Sequence, residues 1–185
     1  MPFCIALIGR TGSGKDVFVD YAIKKHGLVG LKFSAVLTEL AQELNIVAPG
    51  TTLKQKQQYW GPFIRKNYGV KLYVERIVQK VKGKNAVVNG VRSSEEFTLM
   101  NELLGEAFIP VSIVADFDVR LSRVQERGKE FSFKTLDEFK ASEAKQSESE
   151  INLLMEKRNI KVENNGTLEE FYAKIDALLA ELLKK

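Results

Sequence analysis

Cysteine and histidine are almost missing from this 185-residue chain, with one of each. The lone Cys4 excludes an internal disulfide, and its place inside an apolar run suits a buried core thiol. The single His26 falls where the first helix would end, which argues for a structural role. No apolar run approaches the roughly 20 residues that span a bilayer, so no membrane segment is expected. The N-terminus lacks a basic stretch followed by a long apolar one; a cytoplasmic protein without a signal peptide is the expectation. The 28 lysines and arginines and 24 acids give a net charge of +4, but the basic residues form no block. That argues against nucleic acid and fits a small anionic partner at least as well. No internal repeat is present, and the length suits a single domain with a real core.

What the chain does have is Gly9-Arg10-Thr11-Gly12-Ser13-Gly14-Lys15-Asp16. This is the Walker A form G-x-x-x-x-G-K, with Asp16 where the usual pattern has Ser or Thr. An apolar run at 3–8 precedes it. Val17, Phe18, Tyr21 and Ala22 then recur at helical spacing. A strand feeding a glycine loop that opens a helix makes a polyphosphate site. Backbone N–H groups converge there, the helix dipole is positive, and Lys15 would reach the β- and γ-phosphates.

Strand-like runs at 3–8, 28–33, 86–89, 109–115 and 159–163 alternate with helical stripes. They are short and apolar, as in strands covered on both faces. Ser93 with Glu96, and Thr167 with Glu170, read as capping boxes. Ser34 precedes another helical stripe. The apolar face after Ser93 is read as Phe97, Met100, Leu103 and Leu104, and the one after Thr167 begins at Leu168. Two segments break the pattern: 48–69, with Pro49, Gly50, Gly61, Pro62 and Gly69, and the mostly polar 128–158. At the carboxyl ends of parallel strands, insertions of this length serve as lids or substrate clamps.

With these motifs the chain resembles the P-loop nucleoside-monophosphate-kinase superfamily over nearly its whole length. It comes close to dephospho-CoA kinases and their archaeal relatives, phage-type deoxynucleoside monophosphate kinases and animal-type phosphomevalonate kinases. The last two share the ending Gly14-Lys15-Asp16. Val88-Asn89-Gly90-Val91-Arg92-Ser93 is similar to the archaeal group's third strand. The segment 162–170, with Asn165 and Gly166, resembles the fifth-strand exit of dephospho-CoA kinases, near the adenine. Residues 57–74 resemble the middle segment of the deoxynucleoside kinases.

The resemblance implies an α/β three-layer sandwich, with a five-stranded parallel sheet in the order 2-3-1-4-5 and a helical lid. It implies one domain over 1–185, an acceptor-binding insertion at about 48–83 and a lid at about 128–158. It also implies ATP as donor, Mg2+ as cofactor, and a small phosphorylated acceptor. A nucleoside or deoxynucleoside monophosphate leads; dephospho-CoA and phosphomevalonate are the rivals, and an idle nucleotide-binding protein is the rival of another class. A monomer or homodimer would fit.

Arg120, Arg123 and Arg127 share one helix face. The resemblance turns Arg123 and Arg127 toward the nucleotide and the transferring phosphate; the plain alternative is a solvated face paired with Asp118 and Glu126. Arg92 would project toward the acceptor phosphate or pair with Glu95 or Glu96. Arg65 and Lys66 would clamp the acceptor, beside Ser34, or lie on a solvated face. Tyr59 and Trp60 would stack on a base or simply pack. Lys15 is expected to be exposed, touching only ligand.

Two departures stand out. The family's acid at the end of the third strand is Asn89 here, and the hydroxyl at position 16 is an acid. Asp16 could hold magnesium with Asn89 acting through water, or be an acid favoured by the helix N-terminus. In the lid, relatives carry an arginine and an acid where this chain has Ser142-Glu143. Dephospho-CoA kinases carry an aspartate where Ser34 stands.

Overall fold

The computed structural model describes residues 1–126, 136–143, 146–157 and 160–184. Strands β1 (Cys4–Ile8), β2 (Val29–Lys32), β3 (Ala86–Asn89), β4 (Phe108–Val114) and β5 (Ile160–Glu163) form one sheet. The order is β2-β3-β1-β4-β5, and every pair is parallel. Helices α1 (Lys15–His26), α2 (Phe33–Glu43), α3 (Leu53–Tyr68), α4 (Val70–Val81) and α5 (Ser94–Leu104) follow in turn. A short 3-10 turn (Gly105–Ala107) leads into β4. Then come α6 (Phe117–Glu126), α7 (Leu136–Glu143), α8 (Gln146–Glu156) and α9 (Leu168–Leu183). Among these residues no helix is long and apolar enough to cross a membrane.

The expected sheet and order are present, and alternation along β1 shows why the layers form. Cys4, Ala6 and Ile8 face a core built with α2, α3, α4, α5 and α8. Ile5 and Leu7 face the opposite core, with α1 and α9. A central strand points successive side chains to opposite faces, so both faces must be covered. The edge strands differ from the expectation of burial on both faces. In β2 no residue is fully buried, and in β5 only Val162 is. An edge strand has one neighbour and is covered less. Burial pushes the Cys4 thiol up to about 12, which suits an inert core group.

Local signals set most helix starts. The capping boxes Ser93–Glu96 and Thr167–Glu170 both form, and a third, Thr52–Gln55, starts α3. Gly61 and Pro62 lie inside a helix: α3 runs through Pro62. The lost ladder bond is offset by burial of Trp60 and Ile64 on either side. Trp60 also donates its Nε1–H to the Ile46 carbonyl, at 3.0 Å; it packs, while Tyr59 stays exposed and stacks on Phe63. Ser34 does not precede α2. The helix begins at Phe33, whose ring is needed in the core, and Ser34 lies in the first turn. Leu103 and Leu168 belong to the predicted stripes but are exposed.

On the far side from β2, Asp176 of α9 ties down α1. It accepts from Lys25 at 2.8 Å and from Tyr21 at 3.0 Å, and it pairs with His26 at 2.8 Å. His26 therefore has a structural partner. Hydrogen bonds from Lys25, then from His26 and Tyr21, hold the Asp176 carboxyl at about 2 against an ordinary value of 3.8. A carboxylate depressed in the folded state stabilises above its unfolded value and loses that contribution as pH falls toward its folded one. Asp176→Asn is expected to be less stable at neutral pH. It is also expected to lose less stability than the parent between about pH 4 and pH 2. Urea midpoints across that range check it, and parallel curves would refute it.

Candidate active site

The glycine loop leaves the buried end of β1 and turns into α1 with no side-chain cap on the helix. Gly12 (φ 82°) and Gly14 (φ 104°) hold left-handed backbone that only glycine adopts cheaply. A Cβ on Gly12 would lie 2.7 Å from the Arg120 carbonyl, and one on Gly14 would strike the Asn164 side chain. With no side-chain cap, the first N–H groups of α1 lack an intrahelical partner, an arrangement that suits an anion. The Ser13 hydroxyl is buried there with no hydrogen-bond partner among the described residues, so an anion would suit it.

Three side chains pin the loop's carbonyls. Lys15 Nζ donates to Gly9 O at 2.6 Å and to Arg10 O at 2.9 Å. The expectation of an exposed Lys15 touching only ligand is therefore corrected. An ammonium with three donors on a half-buried stem takes nearby carbonyls, and it lies across the mouth of the loop. Asn164 Nδ2 donates to Ser13 O at 2.8 Å, and Arg120 Nη1 donates to Thr11 O at 3.3 Å. Arg123 then holds Asn164, donating to its carbonyl at 2.8 Å and its Oδ1 at 3.2 Å, and reaches Gly166 O at 3.4 Å. Asn165 Oδ1 accepts from the Asp116 backbone at 2.8 Å. The structure thus brings Arg123, Asn165 and Gly166 together at the fifth-strand exit beside the loop.

Arg120 departs from the predicted stripe. It is 2% exposed and donates to both oxygens of Glu143, at 2.6 and 2.9 Å. It also donates to Ala115 O and lies near the rings of Phe117 and Phe139. Neither a phosphate-facing nor a solvated arginine is found at 120, because Phe139 and Glu143 of α7 close over it. Glu143 also accepts from Arg10 at 2.9 Å, and Asn152 of α8 accepts from Arg10 Nε at 2.7 Å. The acid of Ser142-Glu143 is thus bound to the loop. Arg127 lies outside the described residues, as does the side chain of Ser142.

On the β2–β3 side, Asn89 Nδ2 donates to Asp16 Oδ1 at 3.1 Å. Lys32 Nζ lies 2.8 Å from the same oxygen. No group of three or more His, Cys, Asp or Glu among the described residues could hold a metal. The protein's share would be one carboxylate and one carboxamide. That fits magnesium, which is held by one or two carboxylates with phosphate oxygens and water completing the shell.

Arg65 is not on a merely solvated face. It donates to Glu96 at 2.7 Å, together with Tyr73 at 2.8 Å. Glu96, 3% exposed, also caps α5 and accepts from the Arg92 backbone at 2.6 Å. A buried carboxylate needs that many donors. Burial first, then the Glu96 charge, pushes the Tyr73 hydroxyl well above its ordinary value. Arg92 is exposed at the β3 exit, Lys66 is exposed, and Ser34 is half-buried beyond β2. Sequence reasoning missed Lys32 and Asn164. Lys32 ends β2 and Asn164 directly follows β5, both at carboxyl ends of parallel strands, the position where such sheets bind ligands.

The chain is similar to the UPF0200 protein of Methanosarcina barkeri: 30% identical over 125 residues, 66% of this chain and 67% of that one. The chain belongs to the UPF0200 family. The Methanosarcina acetivorans member is 30% identical over 124 residues, and the match spans 65% of this UPF0200 chain and 66% of its relative, just under two thirds. The Thermoplasma acidophilum member is 25% identical over 178 residues, 96% and 95% of the two chains. No protein-family model matches. Among solved structures, a gluconokinase from Sinorhizobium meliloti has a TM-score of 0.62 at 16% identity, covering 98% of this chain and 93% of that chain. Shikimate kinase from Aquifex aeolicus has 0.59 at 20%, covering 98% of each. An APS kinase from Mycobacterium tuberculosis has 0.57 at 13%, covering 97% and 98%. This UPF0200 protein therefore has the P-loop kinase fold.

Glu143→Gln is expected to cost about 3 kcal/mol, because it leaves the buried Arg120 charge without its counter-ion. Arg120→Lys should not be tolerated as a conservative change, since an ammonium cannot make the two-pronged contact. Urea unfolding measures both. A loss of only ~0.5 kcal/mol, the size expected of an exposed pair, would refute this role.

Proposed function

We propose that this protein is a magnesium-dependent phosphotransferase that moves the γ-phosphate of ATP to a small phosphorylated acceptor. One observation carries the reading. A glycine loop with Lys15 across its mouth, an orphaned buried Ser13 hydroxyl and an uncapped α1 converge at the end of β1. Phosphoryl transfer needs positioning and positive charge more than covalent help, and this loop offers both. Gly9, Arg10, Thr11, Gly12, Ser13, Gly14 and Lys15 would cradle the phosphates, with Arg123, Asn165 and Gly166 beside the base. Asp16, oriented by the Asn89 amide, would hold magnesium, whose charge would offset that of the phosphates when bound.

The acceptor would approach from the β2–β3 side, where Arg92 and Ser34 lie and where the helices within about 48–83 form a wall. The segment at about 128–158 would cover the donor, with Arg127 as a further cation. A nucleoside or deoxynucleoside monophosphate is the acceptor that this reading favours, with dephospho-CoA and phosphomevalonate next. A second reading, a nucleotide-binding protein without turnover, draws on the engagement of Arg65 and Arg120 by carboxylates.

An ATP-consumption screen over the nucleoside monophosphates, dephospho-CoA and phosphomevalonate separates the two. Turnover with one acceptor is expected, and ATP binding without turnover on any would favour the second reading. Lys15→Ala should abolish turnover and weaken ATP binding at least tenfold, about 1.4 kcal/mol. Unchanged calorimetric affinity would count against the phosphate-loop assignment. Arg123→Ala should lower kcat more than it raises KM for the acceptor; an unchanged kcat would reduce Arg123 to holding Asn164.

A further inference from the structure

Among the described residues, Lys32 is a charged group at the Asp16 corner that the proposed function leaves unused. It ends β2, in register with Asn89 of β3, which is in register with Leu7 of β1. The ends of β2 and β3 are therefore level, one residue short of the end of β1, and the Lys32 side chain reaches past β3 to the start of α1. Its Nζ lies 2.8 Å from Asp16 Oδ1, the same oxygen that accepts from Asn89 at 3.1 Å. Both charged partners are about half exposed, at 48% and 43%. An exposed pair of this kind contributes little and opens easily.

We infer that Lys32 is a positioning residue for the polyphosphate: a built-in counter-cation that neutralises Asp16 until a divalent ion takes the carboxylate. The inference rests on the phosphate-loop reading of the site. Asp16 stands directly after Lys15, so its negative charge faces any polyanion entering the loop. Paired with Lys32, and beside a neutral amide at 89, the Asp16 charge is offset and metal-free nucleotide is repelled less. When a divalent ion comes with the phosphates, Asp16 turns to it and Lys32 is left as a cation on the acceptor side. Lys32 should therefore bring the metal-free and metal-bound affinities closer together, and it should do so through Asp16.

The test is calorimetric binding of the non-hydrolysable nucleotide AMPPNP, in EDTA and in excess magnesium. The proteins are the parent, Lys32→Met, Asp16→Asn and the double variant. Lys32 sits at the head of α2 without a side-chain cap, so folding should survive, with circular dichroism as the check. Lys32→Met is expected to weaken metal-free binding about fivefold, the most such a pair delivers. It should leave binding with magnesium within about twofold, so the ratio of the two affinities widens. In the Asp16→Asn background the same substitution should barely move that ratio. Equal shifts in both backgrounds would mean that Lys32 acts on the phosphates directly and would overturn the inference, as would no shift in the parent. A parent that binds no nucleotide in either condition would instead overturn the proposed function, and this inference with it.

Discussion

A loop that turns from a buried strand into a helix without regular structure leaves its own carbonyls to be answered. At this site side chains do it. Lys15 takes Gly9 O and Arg10 O, Arg120 takes Thr11 O, and Asn164 takes Ser13 O. Buried backbone oxygens without partners are costly, so these contacts fix the loop's shape.

The same constraint draws distant chain segments together. Arg120 comes from α6, Asn164 from the β5 exit and Glu143 from α7, yet all serve one turn of backbone. Glu143 holds Arg120 and Arg10 at once, so α7 is tied to the loop through charge as well as through its buried Phe139. Ile151 and Leu154 of α8 add an anchor in the core on the α5 side. A change at Glu143 would therefore be felt both in the loop and in the helix that covers it.

Electrostatics at the opposite corner follow a different logic. An acid at 16, an amide at 89 and an ammonium at 32 replace the usual hydroxyl and acid. The carboxylate moves from the strand end to the start of α1, and the corner gains the cation that balances it. Glu96 shows the buried version of the same rule, with Arg65, Tyr73 and two backbone N–H groups on one carboxylate. Where the acid is 3% exposed it gathers four donors. Asp16, with its side chain 43% exposed, is far less desolvated and its pair with Lys32 stays exchangeable.

Alternating apolar runs, two capping boxes and the glycine pattern determined the parallel sheet, its helices and the place of the phosphate loop. Those signals are local: a strand's period, a helix's first turn and a glycine's dihedral freedom act within a few residues. Only the tertiary structure decided what each arginine does. Arg123 rests on the β5 exit, Arg120 is buried under α7, and Arg65 answers a carboxylate 31 residues away. It also decided that Lys32, from β2, meets Asp16. A long charged side chain is placed by the nearest unsatisfied opposite charge, and which charge is nearest depends on how strands and helices are brought side by side, a matter on which spacing along the chain is silent.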